Sequence, residues 1–393
     1  MHHLETTKVN QTKRALSLDL ARGSMLFLII LSHIPLFLYT IEPGVITKVA
    51  GSTFLDHFFN FLMEILVDNR ARPLFAVLFG YGLVMIYRKQ CERNDAAEAM
   101  RIIKRRCWYL ILFGAILAGV AGGQDILMTY GIAGLFFAFS LKKDNKKIKK
   151  YVLLSTVICI LYIPLFWGGV LVENQAYGLP VELTGQETYS GTILERLVSI
   201  PIIPLFTHLT FPVIPSILMG IWLGNLNILI QPEKHIKLLK RLTIGGLTIS
   251  LAGAIPLVLI NDVWFPDLFT AGFAYGVHIL TGFAGGVGYA ALFGLLGIAI
   301  TKRGLIIHAI AAMGKRSLTF FVIHEILTVI LLSPMAFHLG AHLTVTTSVL
   351  VGILMWMFTL SIAYLMERQQ INGPLESYLR YLVYNKQRKR TMS

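Results

Sequence analysis

Apolar runs long enough to cross a bilayer recur along the whole chain, and short polar stretches rich in lysine and arginine separate them. A helix needs about 20 apolar residues to span the hydrocarbon, and a barrel would need short alternating strands, whose pattern is absent. The runs predict an all-α, polytopic transmembrane helical bundle. Ten spans are expected, at approximately 20–41, 60–87, 107–122, 125–141, 151–172, 200–229, 242–260, 274–300, 316–334 and 345–366. Residues 1–393 read as a single transmembrane domain. The first run is too long for a cleavable signal and no small-residue cleavage site follows it, so it is expected to remain as the first span.

Three places break the simple pattern. Segment 54–87 is too long for one span and carries Glu64, Asp68, Arg70 and Arg72 in its middle. Residues 52–68 therefore read as an amphipathic or re-entrant piece on the outer side, leading into a span at about 70–87. Segment 200–229 holds Pro201, Pro204, Pro212 and Pro215, which predicts a broken helix. Segment 270–290 is rich in glycine, which permits either close helix packing or a non-helical dip. The outer loop 173–198 is polar and acidic, and reads equally as a lid or as an ordinary connector.

Charge settles the orientation expected. The net charge is +14, and 30 of the 35 Lys and Arg fall in six clusters, at 1–19, 88–106, 142–150, 231–241, 302–316 and 367–393. Because apolar spans alternate between them, the positive-inside rule places all six, and both termini, in the cytoplasm. The intervening segments hold Glu173, Glu182, Glu187, Asp262 and Asp267. A basic balance arranged in this way is topogenic and faces anionic lipid, so the lipid bilayer, and no nucleic acid, is the expected partner. The three cysteines, Cys91, Cys107 and Cys159, form neither a CxxC pair nor a disulfide framework. The expected location is the plasma membrane, of the bacterial inner-membrane type.

Ionisable groups inside spans are expensive, so each is a functional candidate. They are His33, Arg72, His208, His278, His324 and Glu325, with Asp125 at the outer mouth of its span. Arg22 and His33 are eleven residues apart, which puts them about 20° apart on one helix face and roughly 16.5 Å apart along it. Arg316 and His324 repeat this arrangement of an edge cation and a deep imidazole. His33, His324 and Glu325 could together supply a general base and its orienting partner. His208 and His278 read as helix ties, worth about 0.6 kcal/mol each. Asp19 and Arg22, as i, i+3 neighbours, can pair. The spacing also leaves His33 and His324 open as axial haem ligands. No metal is expected.

LDLARG with Arg22, ten residues and His33 resembles the Arg-x10-His signature of the membrane acyltransferase-three family. PLFAVLFGYGLVMIYRK (73–89) and MGKRSLTFFVIHEIL (313–327) resemble its second-span and late-span motifs. LFGYG (78–82), DILMTYGIAGL (125–135), LMGIWLG (218–224) and GPLESYLRYLVY (373–384) are closer to the YeiB-like membrane proteins, grouped with those acyltransferases and with the lysosomal heparan glucosaminide acetyltransferase. On this resemblance, 20–141 is the half that carries Arg22 and His33, and 151–393 is the YeiB-like region.

The resemblance implies transfer of an acyl group, expected to be acetyl, from cytoplasmic acyl-CoA to a hydroxyl or amine of an extracytoplasmic glycan, lipid-linked or small-molecule acceptor. His33 would be the catalytic histidine, oriented by Glu325 or His324. Arg22, Lys315 and Arg316 would hold the CoA phosphates, and Asp19, Arg72, Asp125 and loop 173–198 would meet the acceptor. A homodimer is left open. A transporter or exporter is the main competing expectation, because broken Pro- and Gly-rich spans with deep charges also mark transporters. A structural or regulatory membrane subunit is the third.

Overall fold

The computed structural model describes residues 5–391 apart from 47, 94, 180–182 and 303. Glu182 of the outer loop and Arg303 of the fifth basic cluster lie outside the described residues. So do the side chains of the first cluster up to residue 15 and of the KQRKR tail.

Fifteen α-helices make up most of the described chain, and no β-sheet forms among the described residues. Helix α1 (Glu5–His33) is continuous, so the shared face of Arg22 and His33 is preserved. It ends where Pro35 can supply no further ladder hydrogen bond. Helix α2 (Phe54–Leu66) starts with a capping box between Thr53 and Asp56, and turns Phe54, Phe58, Phe61 and Leu66 outward. A turn through Asn69 leads into α3 (Ala71–Cys91). The charges at 64–72 thus lie at the α2–α3 turn and not in the middle of a helix.

Helix α4 (Ala96–Ile116) passes through a π-turn at Leu117–Ala121 and a short loop into α5 (Leu127–Phe137). After α6 (Asn145–Asn174), the chain forms α7 (Tyr189–Ser199) and α8 (Ile202–Thr210), bent by 59° at Pro201. Pro212 then separates α8 from α9 (Val213–Asn225). The proline-rich segment is therefore broken as its prolines predict.

Helices α10 (Ile236–Leu259) and α11 (Leu268–Ala299) follow. The glycine-rich segment is unbroken helix within α11. Its glycines are packing devices: a Cβ on Gly272 would strike the Trp167 carbonyl, and one on Gly286 would lie 2.6 Å from the Leu74 nitrogen. Helices α12 (Leu305–Lys315) and α13 (Ser317–Leu332) meet at 90° at Arg316. Helices α14 (Val345–Arg368) and α15 (Pro374–Thr391) complete the fold.

Five described helices are long and apolar enough to cross a membrane, or seven if each bent pair is one span. Ten were expected from the apolar runs. The two counts differ partly because runs such as those of α5 and α9 give helices of only 11 and 13 residues, shorter than the hydrocarbon is thick. The main core joins Met25 and Ile29 of α1, Leu74 and Tyr81 of α3, Ile217 and Ile221 of α9, and Phe320 and Phe321 of α13. It holds α1, α3 and α13 around the polar groups described next.

Candidate functional site

His33 ends α1 and Glu325 sits in the middle of α13, yet His33 Nδ1 and Glu325 Oε1 are 2.7 Å apart. Glu325 is 1% exposed and His33 8%. The other carboxylate oxygen accepts the backbone N–H of Gln124 at 3.0 Å. The loop that presents this N–H is built by its sequence. Gly122 closes the π-turn with φ +74, a conformation that costs glycine little. Gly123 lets Glu325 come close, since a Cβ there would lie 2.9 Å from the Glu325 Cβ. Asp125 then accepts the N–H groups of Leu127 and Met128, both at 2.9 Å, and so caps α5.

Hydrogen bonding separates the four deep histidines. His278 donates or accepts through both ring nitrogens, with Glu64 Oε1 at 3.0 Å from Nδ1 and Arg70 Nη1 at 3.2 Å from Nε2. Arg70 can only donate, so Nε2 accepts and the ring proton is on Nδ1, which faces Glu64 Oε1 and also lies 3.3 Å from the Asn69 side-chain amide. That ring is a tie. His208 Nδ1 meets the Pro204 carbonyl on its own helix. His324 turns away from Glu325: its Nε2 meets Thr359 Oγ1 of α14 at 2.7 Å, its Nδ1 is buried without a partner, and the residue is fully buried. Only His33 among the four has a carboxylate on Nδ1 and an Nε2 with no protein partner among the described residues. A carboxylate on Nδ1–H leaves the Nε2 lone pair available as a base.

At the basic end lies a cavity of about 1200 Å³. Its lining on α3 runs from Phe75 to Lys89, and fourteen helical steps are roughly 21 Å, so it is a long slot. Its mouth carries Arg22, Arg88, Lys89, Arg106, Lys315 and Arg380, against Glu92 and Glu376. Arg88 is fixed by Asn225 and Asn227. Gly82 leaves room for Arg22, whose Nη2 would lie 3.3 Å from a Cβ there. Glu376 of α15 is already engaged: its Oε1 accepts Leu318 N–H at 2.7 Å and its Oε2 the Thr319 hydroxyl, capping α13. The floor of the slot is Phe75, Leu127 and Tyr130. Phe75 stacks on Phe321, one turn before Glu325, with centroids 6.2 Å apart. A basic mouth therefore leads to an aromatic floor that packs against the helix of the His33–Glu325 pair.

The remaining predicted site residues fall in other places. Lys315 lines the slot while pairing with Glu367 at 2.6 Å. Arg316 does not line it. Its guanidinium binds Glu367 at 2.7 Å and the carbonyls of Ile371 and Ala312, tying the α12–α13 bend to the α14–α15 turn. Asp19 stands at the α1–α12 crossing, where Gly314 packs against its carbonyl, outside the slot lining. Arg72 lies over the Phe211 ring at 3.7 Å and is described further below. In the 173–198 loop, α7 packs on the π-turn beside the pair, with Arg196 bonded to the Tyr189 carbonyl at 3.0 Å.

Sequence reading missed Gln124, Arg106, Arg88 and Arg380. Arg106 and Arg88 were hidden among topogenic cations, and Gln124 acts through its backbone. The Gly122–Gly123 pair before Asp125 was its one visible signal. Also missed was the buried network of Lys48, Glu64, Arg70 and His278, in which Lys48 pairs with Glu64 and Arg70 donates to the carbonyls of Glu64, Asp68 and Ser250.

An all-helical chain with several long apolar helices and a buried polar pair among them is of the class that membrane proteins show. Residues 223–386 match the family described as "Protein of unknown function (DUF418)", a stretch that includes Lys315, His324, Glu325 and Glu376. The chain is also similar to the "Uncharacterized protein YxaH" of Bacillus subtilis (strain 168). The two are 25% identical over 288 residues, covering 67% of this chain and 70% of that one. Neither description names an activity, so the two matches bear on kinship and leave the acyltransferase side of the resemblance untouched.

Proposed function

We propose that the protein is an integral membrane acyltransferase that takes an acyl group, acetyl in the simplest case, from acyl-CoA at its basic, cytoplasmic end. The acceptor is a hydroxyl or amine on the opposite side, on a glycan, a lipid-linked sugar or a small molecule. The observation that carries this reading is the slot: phosphate-binding chemistry at its mouth, an aromatic floor, and the His33–Glu325 pair beyond that floor. Arginine clusters suit phosphates, and a long apolar channel suits an extended thioester arm.

In this reading Glu325 accepts the His33 Nδ1–H and fixes the tautomer. Nε2 takes the proton as the acceptor oxygen or nitrogen bonds to the thioester carbonyl carbon. The C–S bond then breaks and the departing thiolate receives that proton. Gln124 and Asp125 hold Glu325 in place and need not touch the acceptor.

The test is calorimetric titration of the detergent-purified protein with acetyl-CoA and CoA. Wild type and His33→Ala are expected to bind saturably, and Arg22→Ala to bind at least tenfold more weakly. Absence of binding by a folded, monodisperse wild type would remove the donor and with it the proposal.

Transport of a small molecule is a second reading. The buried Lys48–Glu64–His278–Arg70 network and the two bent helix pairs favour it. It predicts no saturable acyl-CoA binding.

A further inference from the structure

Two buried arginines, Arg70 and Arg316, are held by carbonyls and carboxylates. Arg72 is not. It stands in the first turn of α3 with its guanidinium carbon 3.7 Å from the Phe211 ring centroid, and no carboxylate pairs with it among the described residues. The ionisable groups that act on it are the phenols of Tyr130 and Tyr275, neutral near pH 7. A half-buried cation packed on an aromatic ring without a counter-charge is costly, and ionisable groups in such places mark substrate or ion pathways.

Beside Arg72 is a niche lined by Asn69, Phe211, Ser216 and Ile279, with no acid in its lining. It has room for a single water-sized group. Helix α9 begins at its wall, at Val213, with no side-chain cap, and α3 begins at Ala71. Both helix N-termini add positive potential to that of the guanidinium. Tyr130 ties the Arg72 backbone to the slot: it lines the slot floor, and its hydroxyl donates to the Arg72 carbonyl at 2.8 Å.

We infer that the Arg72 niche is a subsite for one oxygen of an oxyanion, a carboxylate or a phosphate, carried by the acceptor. The word acceptor rests on the acyltransferase reading; the oxyanion chemistry does not. The site selects acidic acceptors, with Phe211 holding the guanidinium in place from one face.

The experiment compares wild type, Arg72→Gln and Arg72→Lys in detergent, with acetate and inorganic phosphate as probes and chloride at equal ionic strength as reference. Thermal unfolding is read against probe concentration, and acetyl-CoA affinity is measured on the same preparations. Wild type should be stabilised saturably by acetate or phosphate above chloride, and Arg72→Gln should lose that response while binding acetyl-CoA as before. Whichever probe acts tells carboxylate from phosphate. Equal responses in wild type and Arg72→Gln, or no response above chloride, overturn the subsite. If Arg72→Gln does not fold, Arg72→Lys decides. It keeps the charge and loses the fork, so at least a tenfold weaker probe affinity supports the subsite and an unchanged one overturns it. An Arg72-dependent response in a protein that binds no acetyl-CoA supports the oxyanion site and overturns only the acyltransferase reading.

Discussion

Gly80 of α3 and Gly220 of α9 fill reciprocal places in one helix crossing: a Cβ on Gly80 would run into the Ile217 carbonyl oxygen, and one on Gly220 into the Val77 carbonyl oxygen. Each glycine meets the residue three positions before the other. The two backbones are therefore in contact, which only residues without a side chain allow. Gly80→Ala or Gly220→Ala should each cost about 1–3 kcal/mol by overpacking. The check is a lower unfolding temperature in detergent, larger than that for Gly245→Ala, where a Cβ meets nothing within 4 Å.

Glu325 meets His33 Nδ1, and neither residue belongs to the slot lining. On the acyltransferase proposal, Glu325→Gln and His33→Ala should each lower acyl transfer by roughly 10²- to 10⁴-fold, the usual worth of a positioned base, with acetyl-CoA affinity changed little. His324→Gln should leave transfer largely intact and lower stability, because the His324 contact is to Thr359. Transfer from radiolabelled acetyl-CoA in vesicles, with unfolding measured in parallel, separates the three. Full activity of His33→Ala would remove His33 from the chemistry.

Lys315 and Arg316 are adjacent and share Glu367, yet only Lys315 lines the slot. On the acyl-CoA proposal, Lys315→Ala should weaken CoA binding with little loss of stability. Arg316→Ala leaves the carbonyl of Ile371 and one Glu367 oxygen without their donor, and should destabilise by about 3 kcal/mol. Calorimetry and thermal unfolding of both variants check this pairing of effects.

Asp56 ties α2 to the start of α14. Burial pushes its carboxyl up, but hydrogen bonds from the Thr346 hydroxyl and N–H, with Thr53 and Ser52, outweigh this and hold it well below the usual carboxylate range. A depressed carboxyl stabilises the fold fully above its unfolded value, about 4, and loses that contribution as pH falls below it. Unfolding temperature should therefore drop more steeply below about pH 4 in wild type than in Asp56→Asn. Parallel acid limbs would contradict the assignment.

The parts legible in the sequence were those set by local periodicity. The eleven-residue spacing of Arg22 and His33 fixed their shared face, and the prolines at 201 and 212 marked real breaks. His33 and Glu325 could each be singled out as costly intramembrane groups, but their contact spans 292 positions and depends on how α1 meets α13. His324 was singled out because it repeats, eight residues after Arg316, the edge cation and deep imidazole of α1, but successive helical residues point about 100° apart, and it is Glu325 that meets His33 while His324 meets Thr359. The charges at 64–72 were visible, while the network they form with Lys48 and His278 depends on α10 and α11 folding back over the α2–α3 turn. Of the cations that line the slot, Arg88, Lys89, Arg106 and Arg380 were read for topology alone, because charge patterning cannot tell a cation facing lipid headgroups from one facing a cavity.

Helix α15 walls the slot with Leu379, Arg380, Val383 and Tyr384, and its Glu376 closes the N-terminus of the helix that bears Glu325. The order of synthesis gives this a consequence. A nascent chain made only through α14 holds every described helix that is long and apolar enough to cross a membrane, but has an open-sided slot and an uncapped α13. On the acyl-CoA proposal, binding at the slot can begin only after residues 376–384 have left the ribosome, and a chain stalled before them would keep its long apolar helices while lacking one wall of the site.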